Sequence, residues 1–183
     1  MAQADPVVTP THEAGVHDHT FETVYARYFG FVWRCLRGLG VAESQLDDAA
    51  QDVFVVVHRK LAEFRRESSL RTWLYGIVRN VASNHRRSHR RQAASVTLEV
   101  EPASAGADPH EQLLVREHTA FVQAFLATVS PDKRDVFVLV LLEELPVPEV
   151  AQMLQVPVNT AYTRLRTVRG EFERALHRRR QAR

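Results

Sequence analysis

Apolar residues recur every three or four positions through most of this chain, the spacing that lines one face of an α-helix. Phe21, Val24, Tyr25, Tyr28, Val32, Cys35, Leu36 and Leu39 make the first stripe. Thr20 is placed to cap its start, and Gly38 and Gly40 to stop it. Leu46, Ala49, Ala50, Val53, Phe54, Val57, Leu61 and Phe64 make the second, with Ser44 or Asp47 as its opening residue. The apolar run from Val53 to Val57 could by itself be a strand, but the period on either side predicts helix. A third stripe, Leu70, Leu74, Ile77, Val78 and Val81, predicts a helix from about Ser69 to Arg87. Three such helices can share one core, so residues 20–91 read as a helical domain.

The rhythm stops after Arg91. Residues 92–111 are Ala, Ser, Pro, Gly and acids for the most part, too poor in apolar surface to order themselves, and predict a flexible linker. Inside it Val96 to Val100 alternates like a short extended segment without an obvious pairing partner. Helical period returns at Leu113, Leu114, Glu117, Phe121 and Phe125. Ser130-Pro131-Asp132 then offers a capping hydroxyl, a proline at the first helical position and an acid in the first turn. The helix expected there buries Val136, Phe137, Val140 and Leu141. A short stripe from Glu149 to Leu154, a break at Gln155-Val156-Pro157 and a longer helix from Val158 to about His177 complete residues 112–183. That succession is a helix-turn-helix pattern. Ala151 is small where two helices would cross, Val150 and Leu154 point inward, Val156 fills the turn, and Ala161, Leu165, Val168 and Phe172 line the second helix. The expected fold class is all-α: two small helical domains joined by a flexible acidic linker, after a disordered tail at residues 1–19.

Composition narrows the function. With 183 residues, 45% apolar and 25% charged, the chain has the make-up of a folded protein. Its longest apolar runs are too short and too soon interrupted by charge to span a bilayer, so no membrane insertion is expected. The first nineteen residues hold three acids, no Lys or Arg and no apolar stretch, unlike a secretory signal, and a cytoplasmic location is expected. Cys35 is the one cysteine, at an apolar helical position, where it reads as a small core residue. The net charge of +2 conceals a sorting along the chain. Residues 20–91 carry thirteen basic and seven acidic side chains, residues 92–111 none and four, and residues 112–183 eleven and eight. Two basic blocks separated by an acidic connector fit a polyanion met at two places.

Candidate chemistry falls in those blocks. On the last helix Asn159, Thr160, Tyr162, Thr163, Arg164, Arg166 and Arg169 face away from the stripe, a mixture suited to base edges and phosphates in a major groove. A solvated helical hairpin has the same period, but the basic run Arg178-Arg179-Arg180 beyond it favours DNA. Around the third helix Arg71, Thr72, Trp73, Tyr75, Arg79, Asn80, Asn84, Arg86 and Arg87 combine rings, amides and guanidiniums as single-stranded DNA requires. Trp73, three residues after Leu70, fits a core position equally well. The polar loop before it, with Arg65, Arg66, Glu67, Ser68 and Ser69, is able to wrap an unstacked nucleotide or to serve as a plain surface turn.

The order of these parts resembles an extracytoplasmic-function (ECF) sigma factor. Asp47-Asp48-Ala-Ala-Gln51-Asp52-Val-Phe54 looks like that family's acidic segment for the polymerase clamp helices. Phe64 to Asn80 looks like its promoter-melting and minus-ten-reading segment, and Val129 to Phe137 with Leu145 to Leu165 like its minus-thirty-five domain. The resemblance implies that Asp47, Asp48, Gln51, Asp52 and Phe54 meet bacterial core RNA polymerase. It implies that the loop Arg65 to Ser69, with Trp73 and Asn80, handles the opened minus-ten strand, and that Asn159, Thr160, Thr163 and Arg164 enter the minus-thirty-five groove. Promoter DNA and an anti-sigma protein are the further implied partners, with no cofactor and no catalytic residues, and the linker would thread near the polymerase cleft. The chain departs from the pattern at Pro146 and Pro148, where relatives usually open a helix with Ser, which predicts a late start. Gln155 replaces a usual turn glycine, and Tyr162 stands where lysine is common.

Two other classes compete. An autonomous helix-turn-helix regulator would use the same C-terminal motif, but would need a dimerisation or ligand-sensing module where this chain has an acidic patch and an aromatic basic helix. An enzyme would need a site. His12, His17 and His19 could ligate a metal only from a polar tail without a supporting shell, and no nucleophile elbow or phosphate-binding glycine loop is present.

Overall fold

The computed structural model describes residues 19–93 and 109–181, and every regular element in them is helical. In chain order these are α1 Phe21–Gly38, α2 Leu46–Lys60, α3 Leu70–Ala93, α4 Pro109–Thr128, α5 Pro131–Phe137, α6 Val147–Met153 and α7 Val158–Gln181. The extended segment expected at Val96 to Val100, the linker residues 94–108 and the tail residues 1–18 lie outside the described residues.

Each boundary has a local cause. Thr20 Oγ1 accepts from the Thr23 N–H at 3.3 Å, and Gly40, at φ +85°, turns the chain after α1 where a side chain would be strained. A 3₁₀ turn, Glu43–Gln45, leads into α2. Asp47 and Asp48 occupy the first turn of α2 and His58, Arg59 and Lys60 its last, both favourable to the helix dipole. Ser69 Oγ accepts from the Thr72 N–H at 3.1 Å and so caps α3. The start of α5 differs from expectation: Pro131 and Asp132 open it as predicted, but the Ser130 side chain makes no capping bond. Neither proline delays α6, which begins at Val147: Pro146 is its extended N-cap, and Pro148 sits in the first turn, whose N–H groups have no intrahelical partner.

The first half is α1, α2 and α3 packed on one another around Val24, Val32, Leu36, Val53, Val57, Leu74 and Val78, all essentially inaccessible. Cys35 is buried among them, and burial pushes its thiol well above the ordinary range. One stripe residue and one residue off the stripe exchange places. Tyr25 is 42% exposed, and Phe31 takes a core place instead. In the second half α5 and α6 pack on α7, with Val150, Ala151, Ala161, Leu165 and Val168 between them. Val138–Leu142 continues α5 as a wide π-type turn, in which Glu143 N–H reaches back to Val138 C=O. That turn shifts the buried set: Val138 and Leu139 are inaccessible, whereas Val140 and Leu141, expected in the core, are half-buried.

The halves share one core. Gly38 of α1 meets Val138 so closely that a Cβ there would lie 2.8 Å from a valine methyl. Arg34 forms a bidentate bond to Glu143 at 2.7 and 2.8 Å, which holds its guanidinium more firmly protonated. Arg134 donates to the carbonyls of Leu126 and Val129 in its own half and, at 3.4 Å, of Leu39 in the other.

Candidate nucleic-acid interface

The loop between Phe64 and Leu70 is shaped by a 3₁₀ turn at Leu61–Glu63, by Arg66 at φ +58° and by the Ser69 cap. Arg65, Arg66, Glu67, Ser68 and Ser69 are exposed around it. Trp73 is half-buried with its ring 5.2 Å from that of Phe64, so it is both packed and partly presented beside the loop. Thr72 and Arg71 are half-buried, and Asn80 and Asn84 exposed, with Asn84 accepting from Arg87 at 2.6 Å. One assigned residue is elsewhere. Tyr75 is fully buried and its hydroxyl donates to Asp135 at 3.0 Å, so it belongs to the junction of the halves and not to a DNA-facing surface in this arrangement. Burial and the nearby carboxylate push its phenol well above the ordinary range.

In the second half α6, the turn and α7 form the expected helix-turn-helix. Gln155 adopts φ +54°, the left-handed conformation that glycine would take there, so the turn keeps its form although its residue is changed. The outward face of α7 presents Asn159, Tyr162, Thr163, Arg166 and Arg169 to solvent, with Thr160 half-buried. Tyr162 is 52% exposed, a large ring presented to solvent. Thr163 donates back to the Asn159 carbonyl at 2.9 Å. Arg164 is paired with Asp132 at 2.7 Å.

The acidic face of α2 shows Asp47, Asp48, Gln51 and Asp52 to solvent, and Asp52 meets His85 of α3 at 2.8 Å. Phe54 does not share that face. It is buried beneath Tyr25, whose ring lies 4.6 Å away, and is also within ring contact of Phe21 and Phe29, because its position points toward α1. These aromatics with Val55, His58 and Arg59 line an open groove of about 750 Å³ that runs up to Asp47 and Gln51. Sequence reading missed the groove because Tyr25 fits the core stripe and Phe29 lies off it. The available signal was the spacing of Phe21, Tyr25 and Phe29, three rings on one line of a helix with more aromatic surface than a small core requires.

Residues 24–92 match the family Sigma-70 region 2, and residues 122–170 match Sigma-70, region 4. The chain is 30% identical over 142 residues to the RNA polymerase sigma-H factor of Pseudomonas aeruginosa, covering 73% of this chain and 74% of that one. It is 26% identical over 174 residues to the ECF RNA polymerase sigma factor SigM of Mycobacterium tuberculosis, covering 95% and 85%. Among solved structures it resembles CnrH in complex with the cytosolic domain of CnrY, with TM-score 0.66, 23% identity and coverage of 86% and 87%. It also resembles the sigma factor RpoE in complex with the anti-sigma factor NepR from Bartonella quintana, with TM-score 0.63, 21% identity and coverage of 86% and 96%. At those identities the two structural likenesses concern the fold.

Proposed function

This chain belongs to the sigma-70 family of RNA polymerase sigma factors, in its extracytoplasmic-function group, and we propose that it recruits bacterial core polymerase to two-element promoters in the cytoplasm. The observation that carries the reading is the pairing of region 2 and region 4 in one chain, in that order. Phosphodiester synthesis belongs to the polymerase, and this chain supplies position and strand opening.

Polymerase binding falls to the outward face of α2. Asp47, Asp48, Gln51 and Asp52 offer carboxylates and an amide to a basic helical surface, and the groove of Phe21, Tyr25, Phe29 and Val55 beside them supplies apolar area. Phe54 acts as the floor of that groove. At the minus-ten element, unstacking a base costs a few kcal/mol, which the loop at residues 65–69 and the presented edge of Trp73 offset by receiving it, while Arg71, Arg79, Asn80 and Asn84 hold backbone and base edges. At the minus-thirty-five element Asn159, Thr160, Tyr162, Thr163 and Arg164 face the bases and Arg166 and Arg169 the phosphates. An anti-sigma protein is a further partner, as RpoE has in its complex with NepR.

Capture of core polymerase by the full chain, followed by sequencing of the promoters that the assembly binds, tests this reading. A shared pair of elements at fixed spacing is expected. Tight promoter binding by the chain alone, indifferent to polymerase, would instead identify an autonomous regulator. Replacing Glu67 and Ser68 by glycine while keeping the Ser69 cap should spare closed-complex formation and reduce permanganate-detected melting.

A further inference from the structure

Ser68, Ser69 and Thr72 stand together where the loop at residues 65–69 runs into α3, and the structure uses their hydroxyls unequally. Ser69 Oγ accepts from the Thr72 N–H at 3.1 Å and lies 2.8 Å from the Thr72 hydroxyl, so both of these are committed to the helix start. Ser68 is exposed, and among the described residues its hydroxyl reaches only the neighbouring Ser69 carbonyl, at a long 3.4 Å. The backbone there is equally unengaged. Among the described residues no backbone–backbone hydrogen bond holds residues 65–68, and Arg66 interrupts them at φ +58°. Such a segment can straighten without breaking a helix. Arg65 and Arg66, just upstream of Ser68, are both exposed, and neither is ion-paired among the described residues.

We infer that Ser68 is a phosphorylation site for an arginine-directed protein serine/threonine kinase, and that phosphate there shuts off strand opening at the minus-ten element. The inference rests on the reading of residues 65–69 as the loop that receives the opened strand. Acidic side chains of a kinase cleft pair with guanidiniums at set offsets from the accepting hydroxyl, and Arg65 and Arg66 supply that pattern on a segment free to lie extended. Arg66 precedes Ser69 closely as well, so residue order alone does not choose between the two serines. The cap of α3 chooses, because it holds Ser69 down and leaves Ser68 presented. In the transfer, Ser68 Oγ bonds to the γ-phosphorus of ATP, the bond from that phosphorus to the oxygen bridging to the β-phosphate breaks, ADP leaves, and the hydroxyl proton passes to the kinase's base.

The consequence is electrostatic. Arg65, Arg66 and Glu67 give the loop a cationic balance suited to a nucleic-acid strand. Phosphoserine carries about −1.5 to −2 charges at pH 7 and three acceptor oxygens, which reverse that balance and draw the two arginines onto themselves. A DNA phosphate then meets an anion where it met cations. The acidic face of α2 and the outward face of α7 are untouched, so polymerase binding and closed-complex formation persist.

The test has two arms. In the first, the full chain is incubated with magnesium and ATP in extracts of the cells that make it, and phosphate is located by peptide mass spectrometry. Ser68 should carry it and Ser69 should not, and Arg65→Gln combined with Arg66→Gln should lower incorporation about ten-fold or more while leaving the hydroxyl in place. Phosphate on Ser69 in place of Ser68, or on neither, would overturn the inference. In the second arm, the full chain made with Ser68 already phosphorylated is assembled with core polymerase on a promoter selected with the parent assembly. Closed-complex formation should stay within about two-fold of the parent, whereas permanganate-detected melting should fall about ten-fold or more and return after phosphatase treatment. Melting equal to the parent's would overturn the inference, as would a deficit that phosphatase does not repair. Failure of the unphosphorylated parent to bind polymerase would defeat the sigma-factor reading separately, and the first arm would still decide whether Ser68 is modified.

Discussion

Two helices of this molecule carry a pair of acids near their N-termini, and they use them in opposite ways. On α2, Asp47 and Asp48 project into solvent and make no ion pair among the described residues, while one turn on Asp52 meets only His85 of its own half. On α5, Asp132 and Asp135 are drawn onto arginines from two other helices, and Asp135 is buried. The first arrangement leaves negative charge available to an outside partner, and the second spends it within the chain. Residue type does not distinguish them. What distinguishes them is that α2 lies at the rim of its bundle, whereas α5 is clasped between the two halves.

The rim character of α2 is tested most severely at its aromatic floor. Phe54→Ala should destabilise the protein by about 3 to 5 kcal/mol, while Tyr25→Ala, on the exposed lip, should leave urea denaturation nearly unchanged and weaken polymerase binding. Equal stability losses would mean that the groove is core. Next in size is charge reversal. Asp48→Arg should preserve helicity and reduce polymerase binding by about 2 kcal/mol or more, measured by competition against the parent chain. Asp52→Arg removes the His85 partner as well, so a larger effect from it than from Asp48→Arg would divide the contribution between interface and fold. For the α5 side, Arg164→Ala in the polymerase-bound chain should cost about 1 to 3 kcal/mol on the best minus-thirty-five site and alter the ranking of sites in a promoter library. A uniform loss would make Arg164 a phosphate grip. The smallest change is expected at the turn that aims α7. Gln155→Gly should relieve left-handed strain and raise stability by about 1 kcal/mol or less, read from the denaturation midpoint, with the minus-thirty-five ranking unchanged.

Much of this was legible beforehand because it is local. Thr20, Gly40 and Pro131 act within a turn of their own backbone, so the limits of α1 and the start of α5 could be read from residue type alone. The three helices of the first half and the helix-turn-helix of the second likewise follow from a period of apolar residues that only one packing face satisfies. The outward positions of Asn159, Tyr162, Arg166 and Arg169 follow from the same period.

Where a helix has two packing faces, period is silent. A stripe marks which side of α3 is apolar, but Tyr75 lies beyond it and is buried only because a second half packs there. The π-type turn after α5 changes which of Val138 to Leu141 point inward, an alteration of phase that no residue in the run announces. Phe54 lies on the apolar stripe of α2 and also in the acidic segment that the resemblance assigns to polymerase, and its burial under Tyr25 of α1 decides between the two. Sequence by itself determined the helices, their order and the family to which those parts belong, since each rests on interactions within a few residues. The closed junction, with Gly38 against Val138 and Asp135 on Tyr75 and Arg79, was decided by tertiary structure, because burying a charge is tolerable only where residues 56 and 60 positions away supply its partners.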